Sequence, residues 1–145
     1  MKKNIYCLVV LLLLAFTAFS QNKDAVLGKW LNKSGECHLQ IYKKGVQYFG
    51  KLTWLKEPND AAGKPKLDNK NPVEALRKNP LQGLEILKGF NYAGDGVWEK
   101  GSIYDPKTGK TYNCKMSMES SDKLDMRGYV GISLLGRTET WTRVK

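Results

Sequence analysis

The chain has 145 residues, 41% of them hydrophobic, and its 24 Lys and Arg against 14 Asp and Glu give a formal net charge of +10. This length accommodates one domain but not two of ordinary size. The basic excess directs attention to anionic partners.

The first 20 residues have the three parts of a secretory signal peptide. Two Lys residues follow the initiating Met, an apolar run extends over residues 5–16, and the small residues Ala18 and Ser20 end the segment. The apolar run is shorter than the roughly 20 residues that a membrane-spanning helix needs. We therefore predict cleavage near Ser20 and export to the periplasm or the medium. Residues 21–145 would then form a single mature domain without a transmembrane segment.

The predicted mature chain keeps a basic excess. Removal of residues 1–20 takes away two Lys and no acid, which leaves 22 basic and 14 acidic residues, a net charge of +8. Residues 43–78 hold nine basic and four acidic residues, more than half of the surplus. Few of the basic residues are Arg, which is preferred for bidentate phosphate recognition. The favoured interpretation is an ordinary Lys-rich soluble surface. Anionic lipid headgroups or acidic polysaccharides, rather than nucleic acid, are the partners that such a surface would meet after export.

Alternation of apolar and polar residues with period two dominates the mature sequence and predicts β-strands. Short turn signals, such as the Gly-rich residues 93–96 and the Pro- and Gly-containing residues 105–109, separate them. The predicted strands cover residues 26–32, 37–42, 46–55, 84–92, 97–104, 111–119, 124–132 and 137–144. Eight antiparallel strands can close into a barrel that holds a small ligand or a core of side chains. The predicted fold class is all-β, an eight-stranded antiparallel barrel.

Residues 56–83 form one long polar connection between the third and fourth predicted strands. Connections of this length are usually functional or disordered. Four Pro residues and three apolar ones, Leu67, Leu76 and Leu81, indicate that it packs against the barrel. A helical turn over residues 73–78 with Asn71 as N-cap is compatible with the sequence. We expect a lid over the mouth of the barrel.

Gly28 and Trp30 open the first strand, and Arg143 lies near the end of the last. In a closed barrel these strands are neighbours, so the guanidinium of Arg143 can lie over the indole of Trp30 in a cation–π contact. This Gly-x-Trp pattern with a late Arg resembles the structural signature of the lipocalin and calycin barrels. The resemblance implies a structural role for the three residues, which would close one end of the barrel.

Further motifs resemble a narrower family, the small exported bacterial proteins grouped as domain of unknown function 2147. The motifs are Gly28-Lys29-Trp30, Asp68, Asn71-Pro72, Pro80-Leu81-Gln82-Gly83-Leu84, Ile86-Leu87, Trp98, Gly101-Ser102-Ile103-Tyr104-Asp105-Pro106, Gly109-Lys110-Thr111-Tyr112, Arg127-Gly128 and Gly136-Arg137-Thr138-Glu139-Thr140-Trp141-Thr142-Arg143-Val144. The resemblance spans the mature chain and implies a compact calycin-like β fold without supplying an activity. Tyr129 stands where the family is expected to favour Cys, so no cysteine chemistry is carried over.

The mature chain offers little for catalysis or metal binding. Cys37 and Cys114 can form a disulfide in an oxidising compartment, or serve as small core residues. Their spacing matches no zinc motif, and His38 is the only histidine. Since neighbouring residues of a strand point to opposite faces, His38 cannot act as base for Cys37. We predict no enzyme activity, no metal and no cofactor.

Aromatic and polar residues support ligand binding instead. The predicted cavity wall comprises Tyr48, Trp54, Tyr112 and Met116, and the predicted polar contacts are Asp68 and Arg77. Neighbouring residues of the last strand point to opposite faces. Either Glu139 and Trp141 face the interior, or Thr138, Thr140 and Thr142 do. The favoured hypothesis is a barrel that binds a small amphipathic, lipid-like molecule. The alternative is an envelope structural or interaction protein with a solid barrel, acting through the basic surface of residues 43–78.

Overall fold

The computed structural model describes residues 22–145, so the predicted signal peptide, residues 1–20, lies outside the described residues. Within residues 22–145, no helix is long and apolar enough to cross a lipid bilayer. Eight strands, the buried core that they enclose and the segment that closes one end of the barrel all lie in this range.

Eight antiparallel strands form a closed barrel, which confirms the predicted fold class. Their order around the barrel is their order along the chain. β1 pairs with β8, with Trp30 opposite Arg143 and Leu31 opposite Thr142, so the sheet has no free edge. The strands are β1 (Gly28–Leu31), β2 (Cys37–Lys44), β3 (Gln47–Leu55), β4 (Glu85–Gly94), β5 (Val97–Asp105), β6 (Lys110–Ser120), β7 (Lys123–Tyr129) and β8 (Arg137–Arg143).

Because consecutive strands are antiparallel, the connections alternate between the two ends of the barrel. The open end carries the loops 32–36, 56–84, 106–109 and 130–136. The closed end carries the segment 22–27, the two-residue turns 45–46, 95–96 and 121–122, and residues 144–145.

The segment 22–27 seals the closed end. The indole Nε1 of Trp30 donates to the carbonyl oxygen of Val26 at 2.9 Å, and Nε1 of Trp98 donates to another carbonyl of the segment at 3.1 Å. The hydroxyl of Tyr48 donates to Oδ1 of Asp24 at 2.6 Å. Polar atoms of otherwise buried aromatic residues thus obtain partners from the segment that covers them.

Arg143 of β8 ties this segment to the barrel wall. Its guanidinium carbon lies 4.2 Å from the centroid of the Trp30 ring. Its nitrogens donate to two carbonyl oxygens of the segment 22–27, at 2.9 and 2.7 Å, and to that of Ser121 at 2.8 Å. Gly28 has a φ of 125°, and a Cβ there would lie 2.9 Å from Nη1 of Arg143, so this approach requires glycine. The structure therefore contains the Trp30–Arg143 stack that the sequence suggests.

Large side chains fill the closed half of the barrel. The fully buried residues include Trp30, Trp98, Tyr48 and Met116. The rings of Tyr48 and Trp98 meet edge to face at 6.2 Å. This half of the interior is a packed core rather than a ligand cavity.

A β-bulge in β3 reverses the phase of the strand near the open end. Leu39 pairs with Leu52 and His38 with Trp54, so Thr53 is the extra residue. Trp54 therefore points outward, is 41% exposed and stacks on His38 with 4.5 Å between the ring centroids. The prediction that Trp54 lines the interior is wrong, because regular alternation cannot anticipate an inserted residue.

The long loop 56–84 folds compactly at the open end. Its isolated bridges are Asn59–Pro65 and Leu67–Pro80. The predicted helical turn is a short 3-10 helix, Glu74–Leu76, and the Oδ1 atom of Asn71 accepts the N–H of Val73 at 2.9 Å just before it. These bridges and turns satisfy much of the loop's backbone, as an ordered connection requires.

Cys37 and Cys114, the two cysteines among the described residues, are free, so the possible disulfide does not form. Cys37 begins β2 at the open end, and Cys114 lies in the middle of β6, a strand that is not hydrogen-bonded to β2. Cys114 is fully buried among core side chains, the alternative role that the sequence allowed.

Candidate ligand-binding site at the open end of the barrel

The open half of the barrel contains a cavity of about 650 Å³ that reaches solvent at the open end. Small-molecule sites in proteins occupy roughly 300–1,000 Å³. Its apolar wall comes from β3, loop 56–84, β4, β5 and β8. The wall residues are Leu52, Leu55, Leu81, Ile86, Ile103 and Trp141. Because aliphatic side chains cover most of the interior, the cavity suits an apolar group.

Charged side chains surround the entrance. The acidic ones are Glu36, Glu57, Asp105 and Glu139, and the basic ones are Lys56, Lys66 and Lys107. Two ion pairs join them, Lys66–Glu57 at 3.6 Å and Lys107–Glu36 at 3.1 Å. These exposed pairs add little stability, but they place charges of both signs where a polar headgroup would lie.

The tight turn between β1 and β2 shapes one side of this entrance. Oδ1 of Asn32 accepts the backbone N–H groups of Glu36 at 2.7 Å and of Cys37 at 3.1 Å. The hydroxyl of Ser34 donates to the carboxylate of Glu36 at 2.9 Å. This hydrogen bond and then the ammonium of Lys107 lower the pKa of Glu36, which therefore stays ionised at the entrance.

A buried polar cluster anchors loop 56–84 behind the cavity wall. Tyr104 of β5 lines the cavity, and its hydroxyl donates to Oδ1 of Asp68 at 2.6 Å. Asp68 is fully buried and also accepts from Nδ2 of Asn71 at 2.8 Å. Nε of Arg77 donates to the backbone carbonyl of Asn71 at 2.8 Å. Burial and then the contact with Asp68 raise the pKa of Tyr104 to about 12, so its hydroxyl remains a donor.

Cys37 lies in the cavity wall with its thiol protonated. Burial, followed by the negative charges of Glu139 and Glu36, raises its pKa to about 11. A thiol with a raised pKa is a poor nucleophile at neutral pH. The imidazole of His38 lies against Trp54 on the outer face instead of beside the thiol. No nucleophile–base pair is therefore assembled from Cys37 and His38.

No group of three His, Cys, Asp or Glu side chains within residues 22–145 is arranged to hold a metal ion. Trp141 contributes a different kind of polar atom to the cavity wall. Its Nε1 is buried and finds no acceptor among the described residues.

The sequence profile of "Uncharacterized protein conserved in bacteria (DUF2147)" matches residues 28–143, which contain all eight strands. The chain belongs to this family. Among solved structures, the DUF2147 barrel resembles the Helicobacter pylori protein HP1028, whose title assigns that protein to the lipocalin family. The two share 20% sequence identity over 83% of each chain, with a TM-score of 0.73, which establishes a common lipocalin-like fold. A comparison with curated proteins gives no match.

The DUF2147 barrel does not place the predicted wall residues in the cavity. Tyr48 and Met116 belong to the closed half, and Trp54 is on the outer surface. Tyr112, on β6 opposite Ile103, is half-buried but does not line the cavity. Of the six predicted ligand contacts, none lies in the cavity wall.

The predicted polar pair, Asp68 and Arg77, lies near the cavity without reaching it. Both side chains form hydrogen bonds with Asn71, and Asp68 is connected to the cavity wall by its hydrogen bond with Tyr104. Of the two orientations that the sequence allowed for β8, the structure has Glu139 and Trp141 on the inner face. Trp141 is buried and Glu139 lines the cavity, while Thr138 and Thr142 are exposed. The cavity is therefore partly polar.

The sequence signal for the cavity was weak because its wall comes from strand ends and loops. Leu81 belongs to the long loop, and Leu55 turns inward only because of the bulge at Thr53. The basic residues of the range 43–78 are also divided, since Lys43 and Lys44 lie near the closed end and those after residue 55 lie in the open-end loop. Lys51 lies between these two groups on β3, so the basic residues extend along the barrel rather than clustering at one end.

Proposed function

We propose that this DUF2147 protein is an exported barrel that binds a small amphipathic, lipid-like molecule in the cavity at its open end. The observation that carries the proposal is the form of the cavity, about 650 Å³ with an aliphatic wall and a charged entrance. An apolar tail would lie against Leu52, Ile86 and Ile103. A polar head would remain among the charges of the entrance.

Export is part of the same proposal and is supported by the sequence of residues 1–20. An apolar run of about a dozen residues follows two Lys residues, and small residues precede Gln21. Protein recovered from a periplasmic or culture fraction should begin at or near Gln21. An intact N-terminus in the cytosolic fraction would contradict export.

Native mass spectrometry of the protein purified from its source, before and after delipidation, tests ligand binding directly. We expect an adduct of a few hundred daltons that delipidation removes. The delipidated protein is then titrated with dodecanoic acid. Cys37 is a suitable reporter, because it lines the cavity whereas Cys114 is fully buried. Alkylation by iodoacetamide is followed at about pH 9.5, because the raised pKa of Cys37 makes its thiol a poor nucleophile at neutral pH. Bound dodecanoic acid should slow this reaction, and an unchanged alkylation rate together with the absence of an adduct would refute the proposal.

A matched pair of substitutions separates loss of the cavity from general damage. Ile103→Trp fills the cavity from β5 and should weaken binding of dodecanoic acid by about tenfold or more. Met118→Trp adds comparable bulk at a half-buried position of β6 outside the cavity and should leave binding unchanged. Thermal unfolding of both variants verifies that each is folded. Equal binding by the two variants would argue against this cavity as the site.

A further inference from the structure

Exposed large hydrophobic side chains are concentrated at the open end of the barrel. Among residues 22–145 there are nine, and eight of them lie at this end. Four belong to loop 130–136, namely Val130, Ile132, Leu134 and Leu135, with exposed fractions of 72%, 59%, 83% and 78%. The ninth is Val46, which lies at the closed end in the turn between β2 and β3 and is 81% exposed.

Loop 130–136 is held in place with these side chains directed to solvent. The guanidinium of Arg127 donates to the backbone carbonyls of Ser133 and Leu134 and to the hydroxyl of Thr138. A Cβ on Gly136 would lie 2.6 Å from a carbonyl oxygen of β7, so the loop also approaches that strand closely. A loop that only connects two strands would present polar side chains, and contiguous exposed aliphatic groups mark an interaction surface.

The open end carries a small excess of positive charge. The four open-end loops carry eight basic and five acidic side chains, a net charge of +3 at neutral pH, and loop 130–136 itself carries none. The closed-end segments carry two basic and three acidic side chains, a net charge of −1. An apolar projection on an end with net positive charge can bind an anionic lipid surface, because aliphatic groups enter the acyl boundary while Lys and Arg remain with the headgroups.

We propose that the open end docks on an anionic lipid bilayer, with loop 130–136 inserted at the interface and the cavity entrance facing the lipids. Four side chains on one loop are far fewer than the roughly 20–30 residues per partner in a stable protein interface, so a bilayer fits the surface better than a protein does. Docking does not require an occupied cavity and stands apart from the proposed ligand binding. If both hold, the entrance faces the phase from which a lipid-like ligand would enter.

Cosedimentation of the barrel, residues 22–145, with phosphatidylcholine vesicles containing phosphatidylglycerol tests the docking. The variant Leu134→Ser/Leu135→Ser should bind these vesicles about tenfold more weakly, because two exposed aliphatic groups no longer enter the interface. Val46→Ser, an equally exposed substitution at the closed end, should bind like the wild type. Binding should also weaken on vesicles of phosphatidylcholine alone and as salt is raised.

A second measurement reports the depth of the loop. Brominated lipid should quench the tryptophan fluorescence of the Leu134→Trp variant more strongly than that of the wild type. The Val46→Trp variant should show no such increase. Equal vesicle binding by the Leu134/Leu135 and Val46 variants, or no binding by the wild type, overturns the proposal. Sedimentation of the wild type as a concentration-dependent dimer that the loop substitutions abolish would also overturn it, since the loop would then contact a second copy of the chain.

The cavity variant Ile103→Trp distinguishes the two proposals. If it loses dodecanoic acid but keeps vesicle binding, both stand. If the wild-type protein binds vesicles, does not bind dodecanoic acid and carries no ligand from its source, the ligand-binding proposal fails and the docking proposal remains. If vesicle binding disappears with Ile103→Trp while the variant stays folded, docking depends on the cavity and loop 130–136 is not its main determinant.

Discussion

Arg143 combines two contacts that no other side chain could make from its position. Its planar guanidinium lies over the Trp30 ring at 4.2 Å and donates to three backbone carbonyls at the same time. A Lys ammonium is a compact charge without a planar face and cannot serve this geometry. Arg143 therefore adds to the hydrogen bonds of Trp30, Trp98 and Tyr48 that hold the segment 22–27 on the barrel.

Arg143→Lys should destabilise the protein by about 2–3 kcal/mol, since lost hydrogen bonds to a charged donor cost about that much. Equilibrium unfolding in urea measures the change. Arg137→Lys, the same substitution at the exposed start of β8, should alter the free energy of unfolding by less than about 0.5 kcal/mol. Equal losses in the two variants would show that the guanidinium of Arg143 has no special role.

Asp24 makes the stability of the closed end depend on pH. The hydroxyl of Tyr48, at 2.6 Å, and then the ammonium of Lys43, at 3.2 Å, lower the pKa of this carboxyl. A group whose pKa is lower in the folded state contributes stability above its unfolded pKa of about 3.9, and the contribution is lost as the pH falls through the folded pKa.

Asp24→Asn should therefore reduce stability near neutral pH and flatten the loss of stability of the wild type below about pH 4. Thermal unfolding followed from about pH 7 to about pH 2.5 gives both profiles. Asp95→Asn, at an exposed turn of the same end, serves as the control and should keep the wild-type profile. Parallel profiles for wild type and Asp24→Asn would contradict the assignment.

At the scale of strands, the sequence predicts the fold well because the barrel follows its period-two pattern. Each predicted strand overlaps an observed one, and closure between β1 and β8 follows from their number. The pattern fails at Thr53, where one inserted residue reverses the phase and exposes Trp54. A bulge depends on how two strands pair, and the alternation within one strand does not contain that information.

The cavity wall was harder to predict than the strands for a related reason. Large aromatic and Met side chains such as Tyr48 and Met116 are attractive candidates for a wall, yet their size lets them fill the closed half completely. The cavity remains where smaller residues, Leu52 and Ile103 among them, leave space between strand ends. Which end of a barrel is filled depends on the sum of side-chain volumes in three dimensions.

The buried hydrogen bond from Tyr104 to Asp68 anchors loop 56–84 to β5. Asp68→Ala should cost about 1–3 kcal/mol, because a buried donor loses its acceptor. Tyr104→Phe should cost a similar amount, and the double variant should cost less than the sum of the two, since both single changes break the same contact. Urea unfolding of the four proteins measures the coupling, and strictly additive losses would show that the two side chains act independently.

The two ends of the whole barrel differ in structure, and the proposed functions all belong to one of them. The closed half has the packed aromatic core and the stack of Trp30 and Arg143, so it provides stability. The open half has the cavity, the charged entrance and the exposed loop 130–136, on which the proposed ligand binding and membrane docking depend. Substitutions at the two ends should therefore affect different measurements.

Met116 and Leu81 test this division with the same kind of truncation. Met116→Ala, in the closed half, should lower the free energy of unfolding by about 2–5 kcal/mol, because it leaves a void in a packed core, and the folded variant should bind dodecanoic acid like the wild type. Leu81→Ala, in the cavity wall, should cost less than about 1 kcal/mol and weaken binding several-fold, because apolar contact with the ligand is lost. Urea unfolding and protection of Cys37 from alkylation supply the two readouts. If Met116→Ala weakened binding and Leu81→Ala did not, the wall predicted from the sequence would be correct and the cavity at the open end would not be the site.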